Sequence, residues 1–90
     1  MTGSPAHADV DCTPDTFYML YSPGAWPVSE CTEGSNVTYD LPARGIDLFR
    51  SGNNSGYLVR ASDGRHVRFT PYQERYHDPA GMAFSQVHFN

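Results

Sequence analysis

Short runs of alternating apolar and polar residues recur along this chain, and seven prolines and eight glycines interrupt them. That punctuation leaves no room for an amphipathic helix, and alternation at period two reads as half-buried strands. Phe17 to Tyr21 is a compact aromatic strand, turned by Ser22-Pro23-Gly24 and returned by Trp26 to Cys31. Gly45 to Arg50 is a third strand, ended by Ser51-Gly52-Asn53-Asn54. In a fourth, Tyr57 to Ala61, the period places Tyr57, Val59 and Ala61 on one face and Leu58 and Arg60 on the other. Asp63-Gly64 is a tight-turn dipeptide. After it His66 to Phe69 returns, with Val67 and Phe69 inward and His66 and Arg68 outward. Pro71 to Ala80 reads as loop or a short turn of helix, and Ala83 to Phe89 as the last strand.

The first and fourth strands resemble each other. Tyr18-Met19-Leu20-Tyr21-Ser22-Pro23-Gly24 matches Tyr57-Leu58-Val59-Arg60-Ala61-Ser62-Asp63-Gly64 with one residue inserted. Each opens a hairpin, and each is followed by an irregular stretch and a closing strand. Two such units predict an all-β sandwich of two Greek-key motifs. Its core is expected to hold Phe17 or Tyr21, Ile46, Leu48, Val59, Val67, Phe69, Val87 and Phe89.

Ninety residues make one domain, and a 39 % hydrophobic fraction permits only a small core. No stretch is long and apolar enough to span a membrane. A covalent staple therefore matters, and the chain has two cysteines, Cys12 and Cys31. Ala6-His7-Ala8 just ahead of them carries the small-residue pattern that signal peptidase cuts after. Together they predict export, with a mature start near Asp9 and one disulfide. Residues 1–8 then read as the stub of a cleaved leader or an appended terminus, 9–12 as an extended segment, and 13–90 as the domain.

The net charge is −4, and all six cations are arginines. This balance argues against a nucleic-acid footprint. Arg60, Arg65 and Arg68 cluster locally, with Arg44 and Arg50 earlier, and the solvated side of strands accounts for them better than an anion site. Asp9, Asp11 and Asp15 crowd the front of the chain, so its charge is lopsided.

Several of these pieces follow one another in an informative order. Cys12 precedes an aromatic strand and Cys31 follows its hairpin; Gly52-Asn53-Asn54 comes after the third strand; Asp63-Gly64 is followed by Val67-Arg68. His77-Asp78 lies in the late loop, and Phe84-Ser85-Gln86-Val87-His88-Phe89 closes the chain. The order and spacing, over about residues 9–89, resemble the βγ-crystallin fold and more closely the killer toxin-like proteins of Streptomyces. Phe17, Tyr21 and Gly24 match the aromatic-glycine signature of lens crystallins only loosely, as in a divergent bacterial member. The resemblance implies a secreted, non-enzymatic adaptor of an antibacterial toxin particle. Such an adaptor joins a lectin-bearing, trypsin-like but non-catalytic subunit to a large repeat-built toxin subunit. Its extended N-terminal segment, here Asp9, Val10 and Asp11, is implied to dock into the trypsin-like cleft. Other members of the fold imply a free-standing killer toxin acting on cell envelopes, or a secreted protease inhibitor.

The resemblance also raises calcium, which needs several oxygens from paired loops. Asn53-Asn54-Ser55-Gly56 supplies amides, but Tyr57 stands where a hydroxyl belongs, and Ser62-Asp63-Gly64 offers one carboxylate. Turn formation explains these residues better, so no cofactor is expected. The histidines His7, His66, His77 and His88 lack zinc spacing and read as surface residues. His77 and Asp78, as sequence neighbours on an extended chain, point apart and make a poor catalytic pair. The serines lie in turns, so no activated nucleophile is evident and no enzymatic activity is expected. Asn36-Val37-Thr38 fits a glycosylation pattern that means little in a bacterial secreted protein. Among the aromatics, Trp26 reads either as a cap on the sandwich or as a binding anchor. Tyr72 and Tyr76 are candidates for an interface or lid.

Overall fold

The computed structural model describes residues 10–21, 28–42, 44–76 and 82–90. The expectations for Ala6-His7-Ala8, Asp9, Ser22-Pro23-Gly24, Trp26 and His77-Asp78 fall outside these residues. Eight strands follow in order: β1 Phe17–Tyr21, β2 Val28–Thr32, β3 Val37–Asp40, β4 Gly45–Arg50, β5 Gly56–Arg60, β6 His66–Phe69, β7 Glu74–Tyr76 and β8 Met82–Phe89. The described residues contain no helix, and so none long and apolar enough to cross a membrane.

All pairing is antiparallel. β1 lies between its hairpin partner β2 and the closing strand β4. β5 lies in the same way between β6 and β8. The two stretches that resemble each other in sequence thus hold equivalent central places in two halves. The third strand of each half crosses over: β3 pairs with β8, and β7 pairs with β4. This gives two four-stranded layers, β2-β1-β4-β7 and β6-β5-β8-β3, continuous where Gly45 and Ile46 pair with Ala83 and Met82.

The layers meet face to face through aromatic rings. The Phe17 ring lies 5.3 Å from Phe49 in its own layer, and 4.8 Å and 5.6 Å from Phe69 and Phe89 of the other. Met19, Tyr21, Ile46, Leu58, Phe84 and Val87 complete the centre of the core. Burial of such side chains, at roughly 1.5–3 kcal/mol each, is the main driving term.

Two departures from simple alternation have physical causes. In β4 the register slips: Leu20 pairs with Leu48 but Tyr21 with Ile46, which leaves Asp47 as a bulged extra residue. The bulge carries Ile46 and Phe49 onto the core face, opposite Tyr21 and Met19. Leu48 is buried, but on the other face against Leu20 and outside the core cluster. In β5 the inward face is the reverse of the period-two expectation. Leu58 is fully buried between Val67 and Val87, while Val59 is half-buried. Tyr57 faces outward because its ring stacks between His66 at 3.9 Å and His88 at 4.8 Å. Val67 is half-buried against the core.

Cys12 and Cys31 are bonded, with their Cα atoms 5.4 Å apart. Cys31 is buried in β2 and Cys12 exposed, so the bridge ties the segment before β1 onto the edge strand.

Candidate functional site: a groove beside the disulfide

The loop after β4 organises the surface next to the disulfide. Ser51 is fully buried, and its hydroxyl donates to the carbonyl of Thr70 (2.5 Å) and accepts from the amide of Gln73 (2.8 Å). The Ser51 amide donates to the Gln73 carbonyl, and the Tyr72 amide to the Gly52 carbonyl. On its other side the loop holds the Thr13–Thr16 turn. The Asn53 amide and the Asn54 side chain both donate to the Asp15 carbonyl, at 2.9 and 3.2 Å. The turn is closed internally by bonds from the Thr16 amide and hydroxyl to the Thr13 carbonyl.

Gly52 makes this crossing point possible. Its φ is +59°, and an added Cβ would overlap the carbonyl oxygens of Asp15 and Thr16. The Gly52-Asn53-Asn54 run therefore clamps the segment before β1 to the loop before β7.

Between the clamped segments lies a groove of about 560 Å³, within the roughly 300–1,000 Å³ usual for ligand sites. Its walls include the disulfide, Thr13, Pro14, Tyr18, Arg50, Tyr72 and Glu74. The Arg50 guanidinium sits over the Tyr18 ring, 5.3 Å from its centre, and its Nε donates to Glu74 at 2.5 Å. The hydrogen bond to Glu74, then the charge of that carboxylate, raises the Arg50 pKa. Tyr72 is two-thirds exposed at φ +57°, a conformation uncommon for a bulky residue. Its hydroxyl donates to Asp15 Oδ1 at 2.7 Å, and that hydrogen bond pushes the phenol pKa up.

Of the residues singled out in the sequence, Tyr72 lines this groove. Val10 is half-buried, and its amide donates to the Cys31 carbonyl at 3.1 Å, so the N-terminal segment is hydrogen-bonded to β2 at that point. Asp11 is exposed and adjoins Cys12 in the wall. Tyr76 is exposed in β7 and does not line the groove. Asp9 and Trp26 lie outside the described residues. The sequence reading missed Tyr18, Arg50 and Glu74 as site residues. Tyr18 and Arg50 sit in strands that show no sign of a site, Glu74 sits in a stretch that reads as loop, and only β4 pairing with both β1 and β7 brings them together.

The other candidate chemistry is spoken for by structure. Arg60 binds Asp63 through two nitrogens, and Arg65 reaches the same carboxylate with its backbone amide at 3.0 Å and its Nε at 3.7 Å. Those contacts, the Arg60 hydrogen bond foremost, hold the Asp63 carboxyl well below the usual range. Calcium does not fit these loops: Tyr57, which stands where a hydroxyl ligand belongs, is stacked between imidazoles, and the one carboxylate, Asp63, is paired with Arg60 and Arg65. His66 and His88 flank opposite sides of Tyr57, and no cluster of three acidic, His or Cys ligands occurs among the described residues.

Comparison with family models, curated proteins and solved structures gives no match to this chain.

Proposed function

We propose that the chain is a βγ-crystallin-like, two-Greek-key adaptor of a secreted antibacterial toxin particle. In this reading it joins a lectin-bearing, trypsin-like subunit to a large repeat-built toxin subunit and has no catalytic role. The fold part of the reading is supported by the exchange of β3 and β7 between two like halves. Secretion is supported by the disulfide, which persists in oxidising compartments. The observation that carries the adaptor reading is the exit of the N-terminal segment. Cys12 is covalently fixed to the edge strand, and Val10 continues along it through one backbone bond. Val10 itself is thus held at a defined point, which lowers the ordering cost of docking its segment into a cleft. Backbone groups of such a segment are satisfied by strand addition.

Removing residues 1–11 tests this. Among the described residues the fold loses one backbone hydrogen bond, worth about 1 kcal/mol, so the melting transition is expected to change little. Co-purification with the trypsin-like lectin subunit is expected to disappear. Undiminished capture by the truncated chain would move the docking surface elsewhere.

A further inference from the structure

The groove beside the disulfide has a chemistry that the adaptor reading does not use. Much of its lining is apolar or aromatic: the disulfide, Pro14, the Tyr18 ring and the Tyr72 ring. Within the lining the charges are matched: among the described residues Arg50 is the one cation there, and Glu74 pairs with it. The unmatched charge stands at the rim, outside the lining: Asp15 is bonded to the Tyr72 hydroxyl and Asp11 adjoins Cys12, and neither has a cationic partner among the described residues. Asp15 accepts the Tyr72 hydroxyl on Oδ1 alone, which leaves Oδ2 without a partner among the described residues. The chain's own Arg50 shows what this surface accepts: its guanidinium rests on an aromatic ring while a carboxylate takes its Nε–H.

We propose that the groove docks a basic side chain, arginine first, carried on an extended segment of a partner protein. The aliphatic stem lies along the disulfide and Pro14. The guanidinium meets the exposed face of Tyr72 and the free oxygen of Asp15, with Asp11 adding its field. An acidic occupant meets uncompensated Asp11 and Asp15, and a neutral one leaves both carboxylates unanswered. The left-handed backbone at Tyr72 and its bond to Asp15 hold the ring at the rim before any partner arrives, which reduces the cost of ordering on binding. This inference stands on the groove and the carboxylates at its rim and does not require the adaptor role.

The test uses the intact, oxidised 90-residue chain, isotopically labelled for amide NMR. The probes are three blocked tripeptides, acetyl-Gly-X-Gly-amide, with X arginine, citrulline or glutamate. The arginine peptide should shift the amides of Thr13, Tyr72, Gln73 and Glu74 saturably, and added salt should weaken it. Citrulline, which keeps the shape without the charge, and glutamate should give no saturable shift. Asp15→Asn and Asp11→Asn should each weaken the arginine peptide by roughly two- to fivefold. Asp11 makes no hydrogen bond among the described residues, so its variant removes charge without disturbing the Tyr72 loop. Equal response to citrulline, shifts confined to another surface, or full affinity in both variants would overturn the proposal. So would the absence of any saturable shift with arginine.

Discussion

Replacing Gly52 by alanine tests whether one loop assembles the groove. Two costs arise at that position. The left-handed backbone, φ +59°, costs an L-residue about 1–2 kcal/mol. The new Cβ also overlaps the carbonyl oxygens of Asp15 and Thr16, so the turn before β1 must retreat. Retreat weakens the bonds from the Asn53 amide and the Asn54 side chain to Asp15, at a net of about 1 kcal/mol each. Restricting the unfolded chain returns about 0.4–1 kcal/mol. The balance is a destabilisation of about 2–3 kcal/mol. In a domain this small it lowers the melting temperature by about 10–20 °C. Gly64→Ala is the control, since it shares the left-handed backbone, φ +74°, but has nothing within 4 Å of an added Cβ. Its loss should be about 1 kcal/mol or less. Urea unfolding followed by far-UV circular dichroism gives both values. If the two variants lose the same stability, the overlap with Asp15 and Thr16 costs nothing, and the clamp is not what the geometry says.

Three further outcomes follow from the packing, the bridge and the hairpin turn. Cys12→Ser/Cys31→Ser should lower the denaturation free energy by about 3 kcal/mol, the chain-entropy value for a loop of this length, read by urea titration against the oxidised chain. Phe17→Ala should cost about 3–5 kcal/mol, because its ring touches Phe49, Phe69 and Phe89. A chain that stays folded with less than about 1 kcal/mol lost would contradict the core assignment. Asp63→Asn should show a pH signature. The wild-type carboxyl is depressed below its ordinary value of 3.8 by Arg60 and the Arg65 amide. Its contribution is therefore present above that value and is lost as the pH falls below it. The stability gap between wild type and variant should be constant above about pH 5 and close on acidification; a gap that widens in acid contradicts the sign.

The all-β architecture was legible because strands with one face on the core alternate. β1, β4 and β6 have the bounds that periodicity gives them, and β2, β5 and β8 differ at their ends by no more than two residues. β3 and β7 left no such trace. The four residues of β3 are all half-buried and the three of β7 all exposed, so neither strand shows a buried face alternating with an exposed one. Backbone pairing to β8 and β4 places them, and that carries no side-chain period. Bulging at Asp47 was equally silent, so Phe49 joined the core where alternation pointed to Leu48. At β5 the ring stack with His66 and His88 decided which face Tyr57 took. The groove was the least legible feature. It joins residues near 12–18, 31, 50–52 and 72–74, and what unites them is hydrogen bonding at Ser51 and Gly52 rather than any local motif.

The adaptor claim is met most directly by measuring the mass of what forms when the intact oxidised chain is mixed with its two proposed partners, the trypsin-like lectin subunit and the repeat-built toxin subunit. Light scattering behind size exclusion should show a ternary complex in the full mixture, and no association of the two large subunits when this chain is omitted. Association of the two subunits without it, or killing of target bacteria by the purified chain alone, would contradict the account.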